Sequence, residues 1–122
     1  MVKKGLRTHI GAHGEPPLGL NYHAELFFAS QGGLSNYEVI RAATIDAAIT
    51  LGLQSSLGSL TAGKLADFII YPANYDVLSD SLAKSKDIRF VARGGRLWDA
   101  KTMTEEWPRK GFSSPIPPIN AD

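Results

Sequence analysis

The amino-acid sequence predicts an α+β chain, with helices in its first half and a small hairpin-containing sheet in its second half. Two patterns predict this class. Ser35 and Glu38 stand at capping-box spacing, and apolar residues recur at helical spacing behind them. Further along, two strand-like runs flank Gly94-Gly95, an arrangement typical of a β-hairpin.

The N-terminal part is predicted to contain a strand, a loop and a helix. Residues 5–12 include β-branched side chains that favour a short strand. Residues 13–19 hold two prolines and two glycines, which interrupt both helices and strands. Asn21 is a suitable N-cap for a helix that starts at Tyr22, and Gly32-Gly33 is expected to end that helix.

A second helix is predicted to begin at Ser35 and to stop at Gly52. Thr44 and Ile45 are both β-branched, and we expect them to divide this helix into two pieces. After a turn-rich stretch, residues 64–71 lead into a strand that Pro72 closes.

The C-terminal part is predicted to be a hairpin followed by a tail. Residues 88–93 and 96–98 are the two strand-like runs, and residues 74–86 before them fit a loop with a helical turn. Beyond Met103 four prolines fall between Pro108 and Pro118, which favours an extended tail.

Composition excludes several classes of function. The chain has 122 residues and 43% hydrophobic content, which suits one domain. Its formal net charge is +1 and its basic pairs lie near the ends, so no nucleic-acid partner is indicated. There are no cysteines, which excludes thiol nucleophiles and thiolate metal sites. No window approaches about 18 consecutive apolar residues, so no membrane partner is expected, and the lack of a secretory signal favours the cytoplasm.

Three motifs in succession carry a family resemblance. They are Arg41-Ala42-Ala43-Thr44 with its helical continuation, the run Gly58-Ser59-Leu60-Thr61-Ala62-Gly63-Lys64-Leu65-Ala66-Asp67-Phe68, and Val91-Ala92-Arg93-Gly94-Gly95-Arg96-Leu97. In order and spacing they resemble the C-terminal end of metal-dependent amidohydrolases of the imidazolonepropionase and dihydroorotase type, across roughly residues 5–107.

The resemblance implies a fold and a division of the chain. Residues 1–53 would form the last strand of a (β/α)8 barrel and the helices after it, residues 54–107 the strands and hairpin of a small β-sandwich, and residues 108–122 a proline-rich tail. Within the second motif the glycines allow tight turns, and Asp67 can accept backbone N–H groups at a strand entrance. We therefore prefer a structural interpretation of Lys64 and Asp67 to a catalytic one.

By the same resemblance, the whole enzyme holds one or two divalent metal ions, with zinc favoured, and cleaves a small amide-type substrate. Most of the ligands would come from barrel strands outside this chain. Where the family usually has Gly-Thr-Asp after the eighth strand, this sequence has Gly11-Ala12-His13. His13 is therefore the candidate metal ligand and catalytic proton carrier, and we expect the isolated chain to hold no cofactor by itself.

The three histidines are poorly spaced for a metal centre of their own. If His9 and His13 share one strand, about 13 Å separates them, whereas zinc–nitrogen bonds are about 2.0–2.1 Å long. His13, Glu15 and His23 could instead converge across the proline-containing loop, which makes His23 a second candidate ligand. The alternative is that His23 is a helix-start histidine near Phe27, one turn further on.

Two functional hypotheses follow. The first is the C-terminal part of a metal-dependent hydrolase of carbon–nitrogen bonds, inactive in isolation. The second is a non-catalytic module that self-associates through Leu26, Phe27, Phe28 and the strand at 68–71, whose family partners the chain lacks. A homo-oligomer is expected from either hypothesis, because apolar faces made for a barrel must be covered.

Overall fold

The computed structural model describes residues 4–14 and 19–113. Its helices are α1 (Leu20–Gln31), α2 (Asn36–Ala43), α3 (Ile45–Thr50) and a 3₁₀ helix (Leu82–Lys84), and its strands are β1 (Phe68–Ile70), β2 (Phe90–Arg93), β3 (Arg96–Asp99) and β4 (Glu105–Trp107). The strands form one antiparallel sheet in the order β1-β2-β3-β4. The predicted combination of helices with a small sheet is confirmed, whereas the barrel assignment and the boundaries after residues 53 and 107 stay predictions.

Helices α2 and α3 follow the local signals in the sequence. The Glu38 carboxylate accepts the Ser35 N–H at 2.8 Å, and the Ser35 hydroxyl accepts the Glu38 N–H at 3.3 Å, so the predicted capping box is formed. Thr44 has φ −131° and ψ −95°, outside helical geometry, and separates α2 from α3 as predicted. Its hydroxyl donates to the Ile40 carbonyl at 2.6 Å, which satisfies an acceptor in the last turn of α2.

Helix α1 begins earlier than predicted. Gly19, with φ 81°, precedes its first residue Leu20, and no side chain caps the N-terminus, so the prediction of an Asn21 cap is wrong. The reversal at Gly19 lets the helix start directly after the loop without a capping side chain. The predicted end is confirmed, because the N–H groups of Gly32 and Gly33 donate to carbonyls of the last turn at 2.9 and 3.1 Å.

A compact apolar cluster joins the helical elements. Leu26 of α1, Val39 of α2 and Leu82 of the 3₁₀ helix are 4%, 0% and 1% exposed and pack together. Burial of a side chain of this size stabilises the fold by about 1.5–3 kcal/mol. Leu26 is thus a core residue, and its predicted place on a self-association surface is wrong. Phe28 on the same helix is 61% exposed.

The predicted strand at residues 5–12 does not form. In the part of the chain that the structure describes, residues 6–14 have no regular secondary structure and no strand beside them. A strand is stabilised by its ladder, so β-branched composition is insufficient without a neighbour. The segment is held by Ile10, which packs against the Leu26 cluster and donates its N–H to the Ala42 carbonyl at 3.4 Å.

The sheet agrees with the predicted hairpin and differs at both edges. Strands β2 and β3 pair with Arg93 opposite Arg96, and Gly94 and Gly95 between them both have positive φ, as a two-residue hairpin turn requires. Strand β1 is shorter than the predicted run of residues 64–71, because Lys64 and Asp67 already donate their N–H groups within tight turns.

Strand β4 lies beyond Met103, where the proline content favoured a tail, but inside the 54–107 range that the family resemblance assigned to the sandwich strands. The first of the prolines, Pro108, comes directly after its last residue, Trp107. Leu97 of β3 pairs with Trp107, and Trp98 with Glu105, across a local irregularity in register. The remainder of the predicted tail, residues 114–122, lies outside the described residues.

Two glycines in the motif before β1 have the same backbone geometry and different surroundings. Gly58 and Gly63 both have φ +90°. A Cβ at Gly58 would lie 2.7 Å from the Ala48 Cβ and 3.1 Å from the Ile45 Cα, whereas a Cβ at Gly63 would meet nothing within 4 Å. The positive φ and the close packing on α3 therefore both require a glycine at Gly58, whereas at Gly63 the positive φ alone requires it.

We expect Gly58→Ala to destabilise the chain more than Gly63→Ala. Both variants carry a left-handed alanine, which costs about 1–2 kcal/mol, and Gly58→Ala adds an overpacking cost of about 1–3 kcal/mol. Lys64→Ala is the control, with an expected change of about 0.5 kcal/mol or less at a polar site. Midpoints of urea unfolding compare the three, and equal losses at the two glycines would contradict the close contact with α3.

A buried carboxylate fixes the C-terminal edge of the sheet. Glu105 is fully buried, and its carboxylate accepts hydrogen bonds from the guanidinium of Arg96 and, at 3.0 Å, from that of Arg109. Its backbone N–H donates to the Phe112 carbonyl at 2.8 Å, and its carbonyl accepts the Gly111 N–H at 2.8 Å. The hydrogen bond from Arg96, and then those from Arg109, lower the pKa of Glu105 from its usual 4.5 to about 2 against the opposing effect of burial.

This pKa predicts an acid dependence of stability that Glu105→Gln removes. The unfolded chain takes up the proton first, so the stabilisation is complete above pH 4.5 and is lost as the pH falls toward about 2. Unfolding free energies at neutral pH, near pH 4.5 and near pH 2 measure the slope. Glu106→Gln is the matched control, because Glu106 takes part in none of the ion pairs among the described residues. An unchanged slope in Glu105→Gln would refute the assignment.

Candidate functional site around His13

The candidate site lies on the segment that precedes α1. His13 is an exposed residue of this segment, three positions after Ile10, which is anchored on the core. His9 is also exposed, and its Nε2 lies 2.8 Å from the Thr50 Oγ1 at the end of α3. His9 is therefore engaged by a side chain of the helical part.

His23 lies in the first turns of α1 and points toward the 3₁₀ helix. Its Nδ1 is 3.0 Å from the Oγ of Ser85, which is completely buried. Burial, and secondarily the positive charge of Lys86, lower the pKa of His23, so the imidazole is neutral at neutral pH. The sequence indicated Phe27 as its neighbour and missed Ser85, which lies 62 positions away and carries no local signal.

The donors that the structure describes do not form a metal centre. No group of three His, Asp or Glu side chains in residues 4–14 and 19–113 is arranged to hold a metal ion. Glu15, the carboxylate of the predicted set with His13 and His23, lies outside the described residues. The described residues therefore do not fit a complete metal site, and no reaction step through a metal is assigned to them.

The polar residues of the motif before β1 have structural partners. The Asp67 carboxylate accepts the Gly94 N–H at 2.6 Å, which joins the entrance of β1 to the hairpin turn. The Lys64 Nζ donates to the Ser59 Oγ at 2.8 Å within the preceding turn. The prediction that Asp67 accepts a backbone N–H is confirmed, and both contacts support the structural interpretation of this motif.

Two largely apolar grooves flank the sheet. The larger, about 630 Å³, lies between α2 and one sheet face and is lined by apolar side chains that include Ile40, Leu60, Ile69, Tyr71, Val77 and Val91. The smaller, about 360 Å³, lies on the other face beside Phe68, Ile70, Ala92, Leu97 and Trp107. Burial raises the pKa of Tyr71, whose ring meets Tyr75 edge-on at 5.0 Å. The larger groove is also bordered by Thr44, Ser59, Asp67 and Arg93. Largely apolar surfaces of this kind pack against other apolar groups.

Three solved structures have a fold similar to that of this chain. A Xaa-Pro dipeptidase with bound methionine in its active site has a TM-score of 0.57 and 26% sequence identity, over 65% of this chain and 19% of that one. An amidohydrolase has a TM-score of 0.54 and 29% identity, over 64% and 19%. An uncharacterised protein has a TM-score of 0.54 and 26% identity, over 67% and 21%. The chain thus spans about a fifth of the length of these structures.

The sequence comparison defines the family. The model of the amidohydrolase family matches residues 7–97, well over half of the chain, and the chain belongs to this family. The resemblance carried by the three motifs is confirmed by this match. No curated protein matches the chain significantly. In the described ranges, the helices are too short or too polar to cross a membrane.

Proposed function

We propose that this chain is the C-terminal part of a metal-dependent hydrolase that cleaves carbon–nitrogen bonds in small amide-type or peptide-like substrates. The match of the amidohydrolase family across residues 7–97 carries the proposal. The names of two structural neighbours, an amidohydrolase and a Xaa-Pro dipeptidase, support carbon–nitrogen bonds as the target and include a peptide bond among the candidates. A cytoplasmic location belongs to the proposal as well.

His13 is the residue of this chain that we assign to the chemistry of the whole enzyme. It follows Gly11 and Ala12 at the point where the family pattern has a carboxylate, and it is exposed at the surface of the described chain. An imidazole donates a lone pair to zinc or carries a proton near neutral pH, but it brings no negative charge. His13 would therefore act as a neutral ligand or a proton carrier and would not replace the carboxylate in both roles.

The metal of the proposed enzyme is divalent, with zinc favoured. When bound in such enzymes it activates water and polarises the scissile carbonyl. Most of its ligands would lie outside this chain, because the described histidines are directed to different partners, His9 to Thr50 and His23 to Ser85. A centre that is assembled across segments is consistent with a chain that spans about a fifth of its structural neighbours.

We expect the isolated chain to contain no stoichiometric zinc after dialysis and to be inactive on a panel of amides, lactones and Xaa-Pro dipeptides. Metal analysis of the wild type, His13→Ala and His23→Ala decides the matter. Bound metal that is lost in both variants would overturn the proposal of an incomplete site, and would establish a centre with His13 and His23 as ligands. Joining the chain to the remainder of an amidohydrolase should restore metal binding that depends on His13.

The second candidate function is a self-associating module, and exposed apolar side chains on the sheet favour it. Ile69 and Ile70 of the edge strand β1 are 48% and 40% exposed, and Trp107 at the other edge is 60% exposed. An edge strand with apolar side chains is suited to pair with another chain. The partner in this hypothesis is a second copy, as in the homo-oligomer predicted from the sequence.

Light scattering at tens of micromolar should then report a dimer or a larger species. Ile69→Lys is expected to shift the chain to a monomer, because a charge on an edge strand opposes pairing. Leu51→Lys is the matched control, since Leu51 is 71% exposed but lies in the turn after α3 and borders neither groove of the sheet. A monomeric wild type, or equal effects of the two lysines, would contradict association through β1.

A further inference from the structure

Apolar strand side chains form the sheet side of the larger groove, the one between α2 and the sheet. Side chains alternate between the two faces of a strand, and Ile69 of β1 stands opposite Val91 of β2 on the face that lines this groove. The groove has a volume of about 630 Å³. Sites for small molecules occupy about 300–1,000 Å³ and are lined mainly by apolar groups. The groove is therefore large enough to hold a small ligand.

Three of the polar groups around the groove are already hydrogen-bonded within the fold. The Thr44 hydroxyl donates to a carbonyl in the last turn of α2 at 2.6 Å, and the Ser59 hydroxyl accepts a lysine ammonium at 2.8 Å. The Asp67 carboxylate accepts the Gly94 N–H at 2.6 Å, which directs one of its oxygens toward the hairpin turn. These groups thus contribute to the walls of the groove mainly through contacts that hold the fold together.

Arg93 is the cation among the residues that line the groove. It is the exposed last residue of β2 and lies two positions after Val91, so both side chains are on the same face of the strand. Its guanidinium is in none of the ion pairs formed among the described residues, although Asp67 lies at the adjacent entrance of β1. The groove therefore presents a positive charge that an external anion can pair with.

Tyr71 borders the groove at the opposite end from Arg93. Because Phe68 pairs with Ala92, Arg93 lies across from position 67, four residues before Tyr71. Four residues of a strand span about 13 Å. The two apolar strand side chains of the groove lie between these ends. An elongated apolar surface with a cation at one end matches an unbranched apolar molecule with an anionic end.

We propose that the larger groove binds a small amphipathic carboxylate, an unbranched hydrocarbon chain that lies over Ile69 and Val91 and pairs its carboxylate with Arg93. Charge complementarity selects this ligand, since a guanidinium binds a carboxylate through two parallel hydrogen bonds. The hydrocarbon chain adds to the affinity by removing apolar side chains of the groove from water. The nearby Asp67 carboxylate opposes the bound anion, so much of the affinity comes from the hydrocarbon chain. This site does not depend on the proposed hydrolase function.

An NMR titration of the chain with octanoate, and with 1-octanol as a neutral molecule of the same length, tests the site. Both are used below the concentration at which they aggregate. The amide resonances of Ile69 and Val91 should shift with either molecule. Octanoate should bind about two- to fivefold more tightly than 1-octanol, as an exposed ion pair predicts. Decanoate, which has two further methylenes, should bind at least about fourfold more tightly than octanoate.

Charge variants separate the ion pair from the apolar contact. Arg93→Gln should abolish the preference for octanoate and leave the affinity for 1-octanol unchanged. Arg89→Gln is the matched control, because Arg89 borders neither groove and its guanidinium lies over the Phe90 ring at 5.1 Å. Asp67→Asn keeps an oxygen that can accept the Gly94 N–H and removes the negative charge. It should tighten the binding of octanoate about twofold and leave that of 1-octanol unchanged.

Four results would overturn the proposal, once urea midpoints show that the variants are folded. The first is equal affinity of the wild type for octanoate and 1-octanol, and the second is an equal loss of preference in Arg93→Gln and Arg89→Gln. The third is a set of shifts that spares Ile69 and Val91. The fourth is that these two amides shift with protein concentration and do not respond to octanoate, which would show that a second copy of the chain occupies the groove.

Discussion

The scarcity of buried apolar volume is the constraint on which the rest of this structure depends. The well-buried hydrophobic side chains among the described residues are Leu26, Val39, Leu82 and three alanines, Ala42, Ala48 and Ala92. Alanine contributes little to the hydrophobic driving force, so most of it comes from the cluster of one leucine on α1, one valine on α2 and one leucine on the 3₁₀ helix. The sheet lies outside this cluster and presents Ile69, Ile70 and Trp107 to the surface.

Because the core is small, polar contacts between elements contribute more to specifying the fold. Asp67 joins the entrance of β1 to the hairpin by accepting the Gly94 N–H, and Glu105 joins β4 to Arg96 on β3 and to the turn that follows. Asp67 is exposed, whereas Glu105 is a buried charge, and a buried charge specifies an arrangement when its hydrogen-bonding positions are occupied. Every buried polar side-chain atom in the described part has a hydrogen-bond partner, so these contacts order the sheet without leaving an unsatisfied buried group that would destabilise it.

The features that the sequence predicted correctly are those encoded within a few residues. The capping box at Ser35, the break at Thr44 and the turn at Gly94 depend on nearest neighbours, and each formed where expected. The failed cap at Asn21 was a local signal, and most of the other errors concern contacts with distant partners. A strand at residues 5–12 requires a neighbour that composition does not reveal, and the partner of His23, Ser85, is distant in the sequence. The three motifs that carried the family resemblance identified the class of protein. Their order and spacing preserve a pattern of turns and strand entrances, which local signals alone would not distinguish from that of another fold.

The glycine-rich motif is the most recognisable part of the sequence, and its contacts are structural. Gly58 approaches α3 so closely that any side chain would clash, since an added Cβ would lie 2.7 Å from the Ala48 Cβ. The Lys64 ammonium donates a hydrogen bond to the Ser59 hydroxyl, and the Asp67 carboxylate accepts one from the Gly94 backbone N–H. These contacts support a structural role for both residues. His13, on the segment before α1, stands at the place in the family pattern where the proposed function expects a ligand. The most specific sequence signal therefore identifies the family through the turns and contacts that the fold requires.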